Sequence, residues 1–346
     1  MGMRLEKFLL CICSALVFLT ACDKGDDNGD DPMYLSGSLY FVKAVPEYVG
    51  YGYEQDMTVT GVHHPDASRK PDGTYTDTLG YSFTNPFTEK KDTVKRFEDP
   101  VDTKVTYHLK VVKDTLASFT LTASAYAPGY YPSTCSSTFT VVRPGYGDDR
   151  SLRGFKMDTD TVRVGQKFYY KVRIGDTEWM RQNYADDSDK AVGRAYKDCE
   201  IMNDVFGRYY TWTEARSICP KDWRLPTSAE LDALVDSFGG VGALMADIYF
   251  NGSRAADKMW TYWPAVGTLT DASRLSVIPT GYALISDGKY TFFDLKSRAV
   301  IWTSDEEAGK GVARYIFEDQ NKLFKGSFGK DSFAASVRCV RDSEPE

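Results

Sequence analysis

SICPKDWRLPTSAEL, residues 217–231, is the stretch that decides the fold of the second half of this chain. Glu230 follows Thr227 by three residues, which is the spacing of a capping box at the start of a helix. The apolar positions that come next recur at helical spacing, at Leu231, Leu234, Val235 and Phe238. Gly239 and Gly240 then end the helix. We therefore interpret the stretch as a device that starts a helix, not as a catalytic element.

A second capping box lies upstream, where Glu214 follows Thr211. It predicts a helix that ends at Pro220. KFYYKVRIGDTEWM (167–180) predicts a hairpin that turns at Gly175-Asp176. The remaining strand-like runs are aromatic: GYALISDGKYTFF (281–293), AVIWTS (299–304), ARYIF (313–317) and AASVRCVR (334–341). Within the first of these runs, Asp287-Gly288 predicts a second hairpin turn. Early helices followed by strands predict a compact α+β domain.

The first half of the chain shows period-2 patterns and no helical face. Its strand-like runs are YTDTLGYSFT (75–84), KVTYHLKVVK (104–113), ASFTLTASAY (117–126) and SSTFTVV (136–142). Turn signals such as Pro71-Asp72-Gly73 and Pro128-Gly129 separate them. We expect an immunoglobulin-like β-sandwich over residues 34–143 and a linker over 144–158. The predicted fold class is thus mainly β plus α+β.

Length and charge narrow the classes of protein. A chain of 346 residues is longer than one hydrophobic core usually serves, so two domains are expected. The formal net charge is −7, and no basic stripe is visible along the sequence. We therefore expect no nucleic-acid partner.

The N-terminus predicts export and lipid anchoring. MGMRLEKFLLCICSALVFLTAC has a basic start and a short apolar run, the pattern of a signal peptide over residues 1–21. Leu19-Thr20-Ala21-Cys22 resembles the bacterial lipobox, and this resemblance implies cleavage before Cys22 and lipidation of its thiol. Acyl chains on Cys22 would anchor the protein to a membrane.

The residues after Cys22 are strongly acidic. CDKGDDNGDD (22–31) has almost no apolar content, so residues 22–33 are predicted to form a disordered tether. An acidic run directly after a lipidated cysteine resembles the surface-export signal of Bacteroidota-type lipoproteins, and the alternative is a solvated spacer. We expect an outer-membrane location with the protein facing the cell surface.

Six motifs in the second half carry a resemblance to a known family. They are IGDTEWMRQNY (174–184), GRYYTWTEA (207–215), ICPKDWRLPTSAEL (218–231), IPTGY (278–282), IWTSDE (301–306) and SVRCVRD (336–342). In this order they closely resemble the Fibrobacter succinogenes major paralogous domain, over residues 159–342, with 343–346 as a tail. The resemblance implies a C-type-lectin-like fold, found in secreted and lipid-anchored bacterial proteins that generally have no assigned activity.

Four cysteines remain in the mature chain: Cys135, Cys199, Cys219 and Cys339. An exported protein meets an oxidising compartment, and four thiols allow three pairings. The family resemblance implies a Cys219–Cys339 disulfide. Cys135 and Cys199 then pair with each other or stay free.

Catalysis is not predicted. Formylglycine-generating enzymes carry a similar stretch to Arg224–Leu231, but their chemistry needs a closely spaced cysteine pair that can bind copper, and Cys339 is the only cysteine near the C-terminus. The three histidines (63, 64 and 108) all lie in the first half, so no nucleophile–histidine–acid set is apparent. We expect no enzyme and no cofactor, with a formylglycine-type oxidase as a remote alternative.

No metal site is predicted either. The sugar-binding triplets of calcium-dependent lectins are absent, and the acids at Asp305, Glu306 and Glu307 are interpreted as solvated. His63-His64-Pro65-Asp66 is interpreted as a solvated turn, because adjacent histidines in a strand point to opposite faces.

A ligand site is predicted in the long loop between about residues 239 and 278. KMWTYWPAVG (258–267) places Trp260, Tyr262 and Trp263 close together, where they could stack on a sugar or anchor a protein contact. The alternative for these rings is burial beneath the loop. The expected function is non-catalytic binding or adhesion to a glycan or a surface protein. The alternative is a structural accessory subunit of a surface assembly such as a fimbria.

Overall fold

The protein is described from a computed structural model. The structure describes residues 33–97, 104–143, 152–153, 160–188, 192–250, 259–260 and 268–343. The predicted signal peptide, Cys22, Tyr262 and Trp263 lie outside the described residues, as do most of the tether and of the linker. Among the described residues, no helix has the length and apolar character needed to cross a membrane.

The protein is mainly β: of the described residues, 46% lie in strands and 12% in helices. Residues 33–143 are here called the first half, and every helix or strand among their described residues is a strand. These strands are β1 (Met33–Tyr34), β2 (Ser36–Phe41), β3 (Tyr48–Val49), β4 (Glu54–His63), β5 (Leu79–Thr84), β6 (Lys91–Phe97), β7 (Val105–Lys110), β8 (Ser118–Tyr126), β9 (Tyr130–Tyr131) and β10 (Ser133–Val141).

Two sheets of the first half share one hydrophobic core. One sheet has the order β2-β4-β7 and the other β3-β10-β8-β5-β6, while β1 pairs with β9. In β8 every second residue from Leu121 is buried, and in β4 the same holds for Met57 and Val59. Successive side chains of a strand point to opposite faces, so these alternating residues meet between the sheets.

The second half of the chain, residues 160–343, combines strands and short helices. β11 (Leu152–Arg153) lies just before this range and pairs with β16. The strands within the range are β12 (Thr161–Val164), β13 (Lys167–Ile174), β14 (Thr177–Met180), β15 (Tyr210–Thr211), β16 (Tyr249–Phe250), β17 (Tyr282–Ser286), β18 (Lys289–Phe293), β19 (Arg298–Glu307), β20 (Lys310–Phe317), β21 (Leu323–Phe328), β22 (Phe333–Ala335) and β23 (Val340–Asp342). The helices are α1 (Asn203–Phe206), α2 (Trp212–Ile218) and α3 (Ser228–Phe238), with 3-10 turns at Tyr196–Asp198, Glu200–Met202 and Val241–Ala243.

Both predicted capping boxes are present. The backbone N–H of Glu214 donates to Thr211 Oγ1 at 3.2 Å, and the N–H of Thr211 donates to Glu214 Oε2 at 2.8 Å. Thr227 and Glu230 make the same two bonds, at 3.1 and 2.7 Å. Gly239 ends α3 with φ of 77°, a left-handed conformation that glycine adopts without a steric cost.

The predicted hairpins are also present. Strands β13 and β14 pair around Gly175-Asp176, and β17 and β18 pair around Asp287-Gly288, where both turn residues have positive φ. The last strand, β23, pairs with β14, so the end of the chain returns to the start of the second half. This pairing completes the sheet β12-β13-β14-β23.

A disulfide and a set of ion pairs tie this region together. Cys219, just after α2, is bonded to Cys339, just before β23. This is the pairing that the family resemblance implies. Arg224 donates to both oxygens of Glu230 and to Asp342 Oδ1 at 2.8 to 3.0 Å. Cys135 and Cys199 are free thiols, so they do not pair across the linker.

The two halves contact each other at one end of the first half. Tyr48 packs in a hydrophobic cluster with Tyr196 and Phe206 of the second half. Its backbone N–H donates to Cys199 Sγ at 3.4 Å, and the neighbouring Glu47 pairs with Lys197 at 2.5 Å. The contact joins β3 to the short helices before β15.

Candidate functional site

Trp260 lies in the hydrophobic core. Its side chain is 2% exposed, and its indole N–H donates to the carbonyl oxygen of Val277 at 3.3 Å. A ring buried in this way has no free face for a ligand, so the predicted stacking role of Trp260 is corrected in favour of burial beneath the loop. Tyr262 and Trp263 are outside the described residues, and their predicted role stays a prediction.

Buried polar groups hold the chain segment beside Trp260. Asp271 accepts from the backbone N–H and the hydroxyl of Ser276, both at 2.7 Å. Burial raises the pKa of the Asp271 carboxyl, although these hydrogen bonds and the nearby Arg181 act in the opposite direction. Arg338 is fully buried and donates to the carbonyl oxygens of Met180 and Leu275. These contacts explain why this part of the loop is packed.

A different part of the second half presents an open aromatic cleft of about 240 Å³. We call it the aromatic cleft. Its rings are Tyr282, Tyr315, Phe317, Phe328 and Phe333, and Leu284, Val300 and Arg298 complete the wall. Clefts that combine many apolar groups with a few polar ones are typical ligand sites.

The rings of the aromatic cleft hold one another in place. Tyr282 stacks on Phe333 with centroids 5.1 Å apart, and Phe333 stacks on Phe328 at 4.1 Å. Tyr315 and Phe317 meet edge to face at 5.4 Å. These contacts fix the orientation of the rings before any ligand arrives.

Arg298 is the one charged residue in the wall of the aromatic cleft. Its guanidinium lies 4.1 Å from the centroid of Phe317 and 5.3 Å from that of Tyr282. Nη2 pairs with Asp294 at 3.0 Å, whereas the buried Nε has no hydrogen-bond partner among the described residues. The rings and the carboxylate hold the guanidinium of Arg298 in place, so it is a fixed polar group in an otherwise apolar wall.

The described wall of the aromatic cleft is poor in groups that exchange protons near neutral pH. No carboxylate, histidine or cysteine lines its described wall. Burial, and then the nearby Asp294, raise the pKa of the Tyr282 phenol, while Arg298 acts in the opposite direction. The phenol therefore stays protonated at neutral pH, where it can donate a hydrogen bond but cannot act as a general base.

Of the acids expected to be solvated after Trp302, Glu306 and Glu307 are exposed as expected and form surface ion pairs, whereas Asp305 is half-buried. Asp305 accepts from the backbone N–H of Ser228 at 2.7 Å, and Glu306 pairs with Lys330 at 2.8 Å. Glu307 pairs with Lys325 at 3.1 Å. Within the described ranges, no group of three or more His, Cys, Asp or Glu side chains is placed to hold a metal ion.

The predicted solvated turn at His63-His64 is wrong for one of the two histidines. His64 is buried, packs edge to face on Tyr130 with centroids 4.7 Å apart, and accepts a hydrogen bond from the backbone N–H of Asp66. His63 is exposed at the end of β4. The aromatic neighbour comes from β9, far along the chain, so the local sequence did not show it.

Sequence reasoning also missed the aromatic cleft. It identified the strand-like runs at 281–293 and 313–317, but it did not show which faces of these strands come together in the aromatic cleft. The faces are set by the pairing of β17 with β22 and of β20 with β19 and β21. The available signal was the alternation of rings in these runs, which marks one aromatic face per strand.

These features define a mainly β protein whose second half is closed by a disulfide and carries an open aromatic cleft. Residues 172–341 match the model of the Fibrobacter succinogenes major domain family. The match supports the assignment of this part of the chain to that domain family, within the predicted range of 159–342.

Comparison with curated proteins and with solved structures adds no further assignment. No curated protein matches the chain. Superoxide reductase (neelaredoxin) from Ignicoccus hospitalis, as its T24K form, is similar at a TM-score of 0.21 and 14% identity, over 30% of this chain and 80% of that one. The Yersinia pseudotuberculosis adhesin InvE is similar at a TM-score of 0.24 and 9% identity, over 89% of this chain and 71% of that one. Both likenesses are too weak to support a fold or a function.

Proposed function

We propose that this is a lipid-anchored protein of the outer membrane whose second half is a non-catalytic binding or adhesion module. The aromatic cleft is the observation that carries the proposal. Its partner is a glycan or a surface protein, which would place an apolar sugar face or an apolar side chain against the rings.

The proposed arrangement is an immunoglobulin-like spacer over residues 34–143 followed by a C-type-lectin-like domain over 159–342. The first half supports the spacer: strands β2, β4 and β7 form one sheet, and β3 lies parallel to the final strand β10 in the other. Seven or more short strands in two sheets are typical of such sandwiches. The paired chain ends and the disulfide support the lectin-like assignment of the second half.

The anchor is proposed from sequence alone, on the signal peptide and Cys22. A Cys22→Ser variant is expected to leave the membrane fraction, because it has no thiol to acylate. Protease treatment of intact cells tests the orientation. Digestion supports a surface location, and full protection contradicts it.

The aromatic cleft accepts a ligand with an apolar face and a polar edge. Five rings supply contact area, and Arg298 with the Tyr282 hydroxyl supplies polar contacts in the wall. Interfaces of this kind draw most of their affinity from a few aromatic and arginine side chains. No metal ligand is needed for such recognition.

The test uses Leu284→Asp, which puts a charge into the apolar wall. Leu284 is 45% exposed, so the substitution is expected to leave the fold intact. Val112→Asp is the matched control, at an exposed position of the first half. We expect the wild-type chain and the control to bind a component of a glycan array, with and without calcium, or a purified surface protein, and Leu284→Asp to lose that binding.

The alternatives predict different results. Stable co-purification with envelope proteins, insensitive to Leu284→Asp, would favour a structural subunit of a surface assembly. Copper-dependent turnover that fails on replacement of Cys339 would favour the formylglycine-type oxidase. Binding that is equal in all three chains would contradict the aromatic cleft as the site.

A further inference from the structure

The second half contacts one end of the first half, and the described chain begins at the other end. The contact is made around Tyr48 of β3, which pairs with Thr140 near the end of β10. β10 starts at Ser133, which lies about 25 Å from that contact at the usual rise of a strand. β1, where the described chain begins, pairs with β9 just before this start. The chain therefore enters the first half at the end that is far from the second half.

An exposed apolar patch covers the end at which the chain enters. We call it the tyrosine patch, and it consists of Met33, Tyr34 and Tyr131, which are 47%, 65% and 58% exposed. The rings of Tyr34 and Tyr131 stack with centroids 5.5 Å apart, because the two residues are paired in β1 and β9. Exposed apolar groups that lie together mark an interaction surface, whereas single ones do not.

The tyrosine patch has a packed base. Leu35, which follows Tyr34, is buried in the core of the first half, and Tyr130, which precedes Tyr131, packs against the same core. Tyr130 also meets the buried His64 edge to face, with ring centroids 4.7 Å apart. The native packing therefore fixes the patch, and no partner is needed to form it.

The surface beside the tyrosine patch has little net charge. The loop over residues 64–78 is tied to the patch because the hydroxyl of Tyr130 donates to Asp66. Acids and bases are mixed in this loop, which contains Asp66, Asp72 and Asp77 together with Arg69 and Lys70. Strongly anionic lipid surfaces attract clusters of Lys and Arg. The mixed charges beside the patch suit a zwitterionic surface instead.

The length of the preceding chain decides which surface the tyrosine patch meets. Met33 comes eleven residues after Cys22, the cysteine whose lipidation is proposed above. A segment of this length spans at most about 40 Å when fully extended. As a flexible chain it has an r.m.s. span of about 18 Å. The lipid anchor therefore keeps the patch close to the bilayer, while the contact with the second half lies further out.

We propose that the tyrosine patch is a membrane contact surface, which rests on the headgroup region of the bilayer that holds the acyl chains of Cys22. A tyrosine side chain has an apolar ring and a polar hydroxyl, and such side chains are enriched at membrane–water interfaces. The contact orients the first half so that the second half projects away from the bilayer. This proposal rests on the lipid anchor of the proposed function, and it is independent of the aromatic cleft.

A folded protein partner fits the tyrosine patch less well than a bilayer does. Such a partner would have to enter the gap between the patch and the membrane, which averages about 18 Å for a flexible tether of this length. A domain of 100 residues has a radius of gyration of about 13 Å, so its diameter exceeds this gap. The bilayer is already present at this distance.

Photo-crosslinking on phosphatidylcholine vesicles tests the proposal. The chain from Cys22 onward is joined through the Cys22 thiol to a maleimide lipid, so the test does not depend on whether a cell acylates Cys22. Cys135→Ser removes the half-buried free thiol, and the other free thiol, Cys199, is buried. p-Benzoylphenylalanine replaces Tyr131, and mass spectrometry measures the lipid adduct after irradiation.

The matched control carries p-benzoylphenylalanine in place of Tyr51. Tyr51 is 67% exposed, and its neighbour Gly50 lies against Ile201 of the second half. We expect about fivefold more lipid adduct at position 131 than at position 51, because the contact holds the first ring at the headgroups.

A second pair of variants separates docking from simple closeness to the membrane. Met33→Asp puts a charge into the tyrosine patch, and we expect it to lower the adduct at position 131 about threefold, because a carboxylate opposes entry into the interface. Val42→Asp adds the same charge at a 60% exposed position outside the patch, and it is expected to leave the adduct unchanged.

Two results would overturn the proposal. One is equal lipid adduct at positions 131 and 51, and the other is an adduct at position 131 that Met33→Asp leaves unchanged. Thermal unfolding checks that each chain is folded, and Tyr34 is the second labelling position if the chain labelled at 131 does not fold. Either result would leave the lipid anchor standing, because the membrane fractionation of Cys22→Ser tests the anchor separately.

Discussion

The region where the chain ends of the second half meet and the aromatic cleft use their side chains in opposite ways. In the first region, which we call the seam, Cys219 is bonded to Cys339 and Arg224 is paired with two carboxylates. In the aromatic cleft four of the five rings are partly open to solvent, and Arg298 keeps an N–H with no partner among the described residues. The seam is saturated with internal bonds, and the cleft is not.

This difference separates stability from recognition. A covalent bond and paired charges lower the free energy of the folded chain but leave nothing to offer a partner. Half-open rings cost stability relative to full burial and keep contact area for a ligand. We therefore expect changes in the seam to affect unfolding and changes in the cleft to affect binding.

The largest expected effect comes from removing the disulfide. The Cys219→Ser/Cys339→Ser double variant opens a loop of 120 residues, and in the entropic model a closure of this length is worth about 5 kcal/mol. Denaturant unfolding of the exported chain measures the loss. Cys135→Ser removes a free thiol and is the control. Equal stability of the double variant and the wild type would contradict the role given to the seam.

Trp260→Ala is expected to have the next largest effect on stability. It tests whether the long loop serves stability, as the seam does, or recognition, as the aromatic cleft does. Because Trp260 is fully packed and its N–H is bonded to Val277, we expect a loss of about 3–5 kcal/mol in the free energy of unfolding. Thermal unfolding and urea titration both report it. Phe293→Ala removes an exposed ring and is expected to change stability little.

A different outcome for Trp260 would restore the predicted site. If Trp260→Ala unfolds like the wild type and loses ligand, the indole faces a ligand and not the core. The long loop would then serve recognition, as the aromatic cleft does.

Acid tests a smaller contribution of the seam, where Glu178 on β14 lies opposite Arg341 on β23. Burial raises the pKa of Glu178, but hydrogen bonds and ion pairs with Lys171 and Arg341 outweigh it, so the net pKa is lowered. Arg341 Nε donates to Glu178 Oε2 at 2.6 Å. A lowered folded pKa means that the contribution is fully present above the unfolded value, about 4.3, and is lost as pH falls through the folded value.

Glu178→Gln is therefore expected to lower stability by about 2 kcal/mol at neutral pH. It should also flatten the loss of stability as the pH falls below about 4. Unfolding curves recorded between neutral and acidic pH measure both effects. Glu54→Gln is the control, since Glu54 pairs with Lys110 in the open, where water screens the interaction. A parallel pH dependence of Glu178→Gln and wild type would contradict the assignment.

The sequence predicts the parts of the fold that depend on neighbours along the chain. Thr227 with Glu230, and Asp287 with Gly288, are complete signals within a few residues, and both structures are present. The burial of Trp260 depends on Val277 and on the Asp271–Ser276 bonds, which no local pattern shows. For the same reason, a dense run of rings was predicted to be a surface site.

The aromatic cleft could not be predicted because its rings come from four strands. Tyr282, Tyr315, Phe328 and Phe333 are separated by many residues, and their meeting depends on strand order and register.

The smallest expected effect on stability is that of Arg298→Met. This variant separates stability from recognition, because it should weaken binding while the free energy of unfolding barely changes. The substitution removes the cation over Phe317, which is worth about 0.5–1 kcal/mol at a partly exposed site. It also removes the buried Nε without a described partner, which offsets part of that loss. We expect the free energy of unfolding to change by less than about 1 kcal/mol and ligand binding at the aromatic cleft to weaken. Arg298→Lys keeps the charge but not the planar group, so it separates the two contributions. A loss of stability as large as that of Trp260→Ala, with binding unchanged, would place Arg298 with the seam and leave the aromatic cleft without its polar contact.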